Sequence, residues 1–145
     1  MEDKLKPFIK KLLKRDCITV SYEATIKEVA ALLAKKSIGA VPVTNENEEV
    51  IGIVSERDIV RNLNNRDVDI TSEKVATIMT KSVISAPKTV SSSDLMEIMT
   101  ENKIRHVAIM EGKALLGIVS IGDVVKRLIE KLEGEAEQLR FFINS

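Results

Sequence analysis

Aromatic side chains are almost missing from this 145-residue chain: they make up 3% of it, and Trp does not occur. The platforms on which single-stranded nucleic acids stack their bases are therefore nearly absent. Any packed interior has to come from Ile, Val, Leu, Ala and Met. Net charge is missing too. Lys plus Arg and Asp plus Glu number 22 each, a formal charge of zero, so the chain lacks the broad positive field of a dedicated nucleic-acid binder. The single Cys17 excludes an internal disulfide and a thiolate zinc cluster, and the single His106 excludes any site that needs two histidines. No run approaches the roughly 20 apolar residues that cross a bilayer. The opening, MEDKLKPFIKKLLKRD, is basic but has neither a continuous apolar stretch nor a small-residue cleavage site. The expectation is a soluble, cytoplasmic protein.

What the chain does have is 44% apolar residues, enough for a packed interior, and a pattern written twice. Displaced by 66 residues, the segment 9–13 falls on 75–79, 18–21 on 84–87, and SIGAVPV, through Ile38, on KIRHVAI, through Ile104. With one residue fewer in the next loop, Gly52 to Asp58 lie over Gly117 to Asp123. Similar side chains recur in the same order, which marks a duplication.

Each copy predicts the same elements. A helical turn at 7–13, and again at 73–79, carries apolar residues at helical spacing. Short extended segments follow at 17–20 and 83–86. Next comes a helix: Thr25 and Glu28 have the spacing of a capping box, and Ser91 with Asp94 mimics it. Its apolar face is Ile26, Val29, Ala30 and Leu33 in one copy, and Leu95, Met96 and Met99 in the other. Two strands come after it, 40–44 with 50–54 and 107–110 with 115–119, turned at 45–48 and 111–113. The last helix starts at Ser55 or Ser120. In the second copy it runs on toward the chain end, and Gly134, which costs about 1 kcal/mol against Ala in a helix interior, marks an expected break or kink. The division is a first unit at 8–63, a polar linker at 64–73, a second unit at 74–130 and a helical extension at 131–145. A unit of this size with one short sheet cannot bury enough apolar surface alone, whereas two facing copies can.

ITVS, SIGAVPV and GIVSERDIV in the first copy, with MTKSVIS, KIRHVAI and GIVSIGDVV in the second, resemble the CBS (cystathionine beta-synthase) domain over residues 9–129. The resemblance implies an α+β fold of two β-α-β-β-α units paired about a pseudo-twofold axis, a Bateman module, with two clefts between the units. In the family such clefts hold AMP, ADP, ATP, NAD or S-adenosylmethionine. The implied function is a non-catalytic regulatory sensor of an adenosine nucleotide, AMP, ADP or ATP foremost, with no catalytic cofactor and no metal.

Site residues follow from the same resemblance. In ligand-binding members the pattern Gly-apolar-apolar-Ser/Thr-x-x-Asp sets the Asp against the ribose hydroxyls, and both copies keep it, at Ser55 with Asp58 and Ser120 with Asp123. The chemistry fits, because a carboxylate accepts both protons of a vicinal diol and a helix N-terminus offers N–H donors. Arg105 and His106 stand where the AMP-sensing kinase subunits carry a phosphate-facing basic pair. A guanidinium there clamps phosphate with a planar fork. The first copy has Gly39 and Ala40 instead, so unequal clefts are expected. The stronger cleft is expected to gather Ile118, Ser120, Gly122 and Asp123 with Arg105 and His106, facing Thr19, Ile38 and Gly39. The second cleft is expected to join Ile53, Ser55 and Asp58 to Ser85 and Ile104, with Arg57 and Lys81 as phosphate contacts.

Plainer readings stand beside these. Ser-x-x-Asp is also an N-capping box worth about 1 kcal/mol. His106 can be an ordinary surface residue, and Gly39 can simply relieve a turn. Gly52 and Gly117 suit a strand bulge as well as a close ligand approach. Cys17 reads as a buried small hydrophobe in a strand. Lys10, Lys11, Lys14 and Arg15 read as the solvated face of the opening helix, and Met79, Met96, Met99 and Met110 as core. Competing functions are a scaffold for oligomerisation with empty clefts and, with less support, a nucleic-acid binder using the basic opening helix. An enzyme has the least support, with one His, one Cys and no nucleophile or metal constellation. A homodimer through the helices is expected, with Leu128, Ile129, Leu132, Leu139, Phe142 and Ile143 adding contact surface, together with a downstream partner that the sequence does not identify.

Overall fold

The same local signals recur in both halves, and both halves fold the same way. The computed structural model describes residues 9–10 and 17–144. The first unit is β1 (Val20–Ser21), α1 (Ile26–Lys36), β2 (Ala40–Thr44), β3 (Val50–Ser55) and α2 (Glu56–Leu63). A short 3₁₀ turn at Val75–Thr77 stands where a helical turn is expected. The second unit is β4 (Ser85–Pro87), α3 (Ser92–Asn102), β5 (His106–Glu111), β6 (Ala114–Ser120) and α4 (Ile121–Asn144). The expected opening helix at 7–13 lies mostly outside the described residues; Ile9 and Lys10 are helical. Each sheet has three strands, a parallel pair and an antiparallel pair sharing β2 or β5. The fold is α+β, two β-α-β-β-α units paired about a pseudo-twofold axis.

Caps explain where the helices begin. Ser91 and Asp94 form the reciprocal box, the Asp94 N–H donating to Ser91 Oγ at 3.0 Å. At α1 only half of it forms: the Glu28 N–H donates to Thr25 Oγ1, but the Glu28 carboxylate takes the Thr25 hydroxyl rather than its backbone. Two further N–H groups of α1, those of Ile26 and Lys27, donate to the carbonyls of Glu73 and Ile70 at 3.0 and 2.9 Å. The polar stretch between the copies is therefore committed. It caps α1, and its Val68 and Ile70 pack against the first core. Helices α1 and α3 both end on a left-handed residue, Ser37 and Lys103, at equivalent positions. The break expected at Gly134 does not occur, and α4 runs through it.

Each antiparallel ladder slips by one residue at the same place. Val43 faces Gly52 and Thr44 faces Val50, while Ile109 faces Gly117 and Met110 faces Leu115. The bulge reading of the two glycines thus holds in both copies. Gly52 has a further reason. A Cβ there would lie 2.5 Å from Met79 Sδ and 3.0 Å from the Thr80 carbonyl oxygen. Thr80 belongs to the segment entering the second unit, and it exchanges two backbone hydrogen bonds with Ile53 of β3, at 2.8 and 2.9 Å.

The described residues form two cores, and each takes a residue from the other half. The first gathers Ile26, Val29, Val41, Val43 and Val54 with Val75, and Ile78 and Met79 pack on it. The second gathers Leu95, Val107, Ile109, Val119 and Val124 with Ile9. Met99 is buried there as well, and Met96 packs against it. Full burial of an aliphatic side chain is worth about 1.5–3 kcal/mol, so Ile9 and Val75 each tie one unit to the core of the other.

Candidate functional site

Two clefts lie between the units, and each is built from both. The first, of about 260 Å³, joins Ile53, Ser55 and Asp58 of one unit to Ile84, Ile104 and Arg105 of the other. The second, of about 470 Å³, joins Ile118, Ser120 and Asp123 to Ile18, Ile38 and Gly39. The larger falls within the range of small-molecule sites, which starts at about 300 Å³, and the smaller just below it. Gly39, Ala40 and His106 face both clefts.

The helix starts that carry the two aspartates are near-copies of each other. Asp58 Oδ2 accepts the Ser55 N–H at 2.8 Å and the Ser55 hydroxyl at 3.1 Å, while the Asp58 N–H donates back to Ser55 Oγ at 3.3 Å. In the second copy the corresponding distances are 2.9, 3.0 and 3.2 Å. The capping reading of Ser-x-x-Asp is therefore realised twice. The box holds each carboxylate by one oxygen at the mouth of a cleft. Arg61 approaches Asp58 Oδ1 at 3.7 Å, but its side chain is 72% exposed against 12% for Asp58. Solvent screens this pair, and its contribution is small.

Cations gather on the first cleft. Arg57, Arg61, Lys103 and Arg105 line it, with Glu56 and Asp58 as the acids. Among the described residues, the second cleft has Lys36 and Asp123. His106 stands between them, half-buried. Burial pushes its pKa down, the carboxylates of Glu56 and Asp123 oppose that shift, and the Arg105 guanidinium adds to it. A Cβ on Gly39 would lie 3.2 Å from His106 Nε2 and 3.4 Å from Glu56 Oε1. Gly39 has no positive φ. Its lack of a side chain makes room for the imidazole rather than relieving a turn.

The structure brings most of the sequence-derived site residues together and moves some. Ile38, Gly39, His106, Ile118, Ser120 and Asp123 meet in the second cleft, while Thr19, Arg105 and Gly122 do not line it. Arg105 lies instead with Asp58. The arrangement is largely reciprocal: Ile104 and Arg105 of the second copy stand with Asp58, and Ile38 of the first stands with Asp123, while Gly39, Ala40 and His106 reach both clefts. Gly122 lies on an outer groove with Val125 and Ile129. Ile53, Ser55, Arg57, Asp58 and Ile104 meet in the first cleft, without Lys81 or Ser85. Thr19 and Ser85 are exposed, and their neighbours Ile18 and Ile84 face the clefts. Side chains alternate along an extended segment, so a step of one residue changes the face. That alternation, with apolar Ile18 and Ile84, is the signal that finds them. Nothing in the sequence singles out Arg61 or Lys103. Cys17 is exposed at the rim of the second cleft rather than buried in a strand, and partial desolvation pushes its thiol pKa up. Among the described residues no group of three or more His, Cys, Asp or Glu side chains is placed to hold a metal, and no helix is long and apolar enough to cross a membrane.

Comparison with known proteins agrees with the duplication and the fold. The family model described as the CBS domain matches residues 9–65 and 75–130. The chain is similar, at 36% identity over 112 residues, to an uncharacterized 17.7 kDa protein of Acidianus ambivalens, an alignment covering 77% of this chain and 66% of that one. The chain spans less than two thirds of the first curated relatives it matches, down to 22% of an inosine-5'-monophosphate dehydrogenase of Methanocaldococcus jannaschii. Among solved structures it is similar to a CBS-domain protein of Agrobacterium tumefaciens, with TM-score 0.75 and 40% identity over 81% of this chain and 90% of that one. It is also similar to a CBS domain protein of Pyrobaculum aerophilum complexed with AMP, with TM-score 0.72 and 32% identity over 79% of this chain and 88% of that one.

Proposed function

We propose that this chain, which belongs to the CBS-domain family through both of its halves, is a regulatory module that binds an adenosine nucleotide between its two units. The observation that carries the reading is the make-up of the clefts. Each sets an Asp at a capped helix start against the pre-strand residues of the opposite unit. Ile53, Ile84 and Ile104 are the apolar surfaces for an adenine ring in the first cleft, and Ile18, Ile38 and Ile118 in the second. The capping box uses Oδ2 of Asp58, which leaves Oδ1 toward the ribose diol, with Arg61 3.7 Å from it. Phosphate belongs with Arg105, Arg57 and Lys103, so the cleft of Asp58 is the stronger site for a charged nucleotide. This reverses the order drawn from sequence. The solved relative complexed with AMP supports the ligand class.

A ligand held by both units favours one relative placement of them, and the change can be no larger than its differential affinity for the two placements. Calorimetry and thermal shift with AMP, ADP, ATP, NAD and S-adenosylmethionine test the reading. A ligand at a hundred times its dissociation constant stabilises by about 2.7 kcal/mol. Silence from all five would favour the scaffold with empty clefts.

Self-association has its own observation. Val60 and Leu63 of α2, and Val125, Ile129 and Leu132 of α4, are exposed apolar side chains. We propose that these faces carry a homodimer. Leu128 does not belong with them, because it packs against the second core. Leu139, Phe142 and Ile143 are exposed near the end of α4. The basic helix of the nucleic-acid reading, apart from the exposed Lys10, lies outside the described residues.

A further inference from the structure

We propose that His106 is a shared wall through which a ligand in one cleft changes the affinity of the other. The inference rests on the nucleotide-binding reading above. His106 is the only histidine in the chain, and it faces both clefts. Its backbone pairs with Ser120 across the β5–β6 ladder, which ties it to the helix start bearing Asp123. Its ring and the Glu56 carboxylate crowd the same point above Gly39. Glu56 is the first residue of α2 and lines the cleft of Asp58. The imidazole therefore sits between an acid of each cleft, Glu56 and Asp123, with the Arg105 guanidinium as the facing cation. Beyond these, among the described residues, Arg57, Asp58, Arg61 and Lys103 are the charged groups on the first side and Lys36 on the second.

The physical consequence is proton linkage. Burial holds the ring toward its neutral form. A phosphate monoester entering either cleft adds negative charge beside it and favours the imidazolium, so binding draws a proton from solution onto the ring. Once the first ligand has done this, the second meets a ring already charged and binds more tightly. Linkage makes the effect reciprocal. If each ligand raises the ring's pKa by one unit, the coupling peaks at about threefold, roughly one unit above the ligand-free pKa. It fades at lower pH, where the ring is already charged, and at much higher pH, where neither ligand charges it.

A single histidine gives one unambiguous ring signal by NMR. The test titrates that signal against pH in the full chain, without and with AMP, in the wild type, Asp58→Ala and Asp123→Ala. Asparagine variants serve as a second pair in case loss of the capping box unfolds a chain. Because Asp123 itself acts on the ring, the readout is the change that AMP causes. The expected result is that AMP raises the His106 pKa in both single-cleft variants. Calorimetry near the optimum pH should then show the second AMP binding the wild type about threefold tighter than AMP binds that same cleft in the single-cleft variant, and adding His106→Gln to both should abolish that difference whatever the absolute affinities. A ring that answers to AMP through one cleft only, or coupling that survives in His106→Gln, would overturn the inference while leaving the binding reading intact. No AMP heat from the wild type would overturn both.

Discussion

Ile9 and Val75 are equivalent residues of the two copies, and each is fully buried in the core that the other copy builds. Neither half therefore completes its own interior. The chain should unfold as one cooperative unit. Ile9→Ala removes a buried side chain from the second core and should cost about 2–5 kcal/mol. Tyr22, the only tyrosine, packs against the first core and reports on the opposite unit. In denaturant titrations of Ile9→Ala, Tyr22 fluorescence and far-UV circular dichroism should shift together to the same lower midpoint. A Tyr22 transition left at its wild-type position would show that the units fold independently.

Gly52 carries the second connection. Its missing side chain admits Met79, while the Thr80 backbone is held in place by its bonds to Ile53. Gly52→Ala should destabilise by about 1–3 kcal/mol, the usual effect of overpacking. Combined with Met79→Ala, the two changes should cost less than their sum, because the clash disappears with Met79. Strict additivity in that double-mutant cycle would remove Met79 as the cause.

The pH dependence of His106 has a definite sign. Its pKa in the folded chain lies below the ordinary value of 6.5, chiefly through burial. As pH falls below about 6.5, the unfolded chain takes up a proton that the folded chain resists, so stability is lost down to the folded pKa and then levels off. Above about 6.5 both states are neutral and the group contributes no slope. Urea midpoints of the ligand-free wild type, measured between neutral and mildly acidic pH, should therefore fall more than those of His106→Gln. Parallel profiles would mean that burial does not perturb the ring.

Arg105 separates the clefts. With Asp123→Ala as background, Arg105→Ala should weaken AMP by about tenfold or more, the scale of a lost charge-assisted hydrogen bond. With Asp58→Ala as background, it should matter little. The opposite pattern would return Arg105 to the cleft of Asp123.

Much of this was legible in the residues, because duplication shows every signal twice. Ser55 and Ser120 mark two helix starts, and the displaced Gly52 and Gly117 mark two bulges. The aspartates and the isoleucines at 38, 53, 104 and 118 reach the clefts for the same reason. What the sequence conceals is the crossing of chain between the units. Ile9 and Val75 look like the first residues of their own copies, and only the tertiary fold exchanges them. The place of Arg105 beside Asp58 is hidden in the same way, since a repeat aligned on itself does not say which copy supplies which wall. The stretch 64–73 is polar in composition, yet its backbone carbonyls cap α1, a role that no side chain announces. Gly39 is intelligible only once the His106 ring is seen beside it.

The most direct test is a crystal structure of the full chain grown with AMP. The ribose hydroxyls should lie within hydrogen-bonding distance of Asp58 Oδ1 and the phosphate against Arg105. A nucleotide lodged away from both Asp58 and Asp123 would contradict that placement.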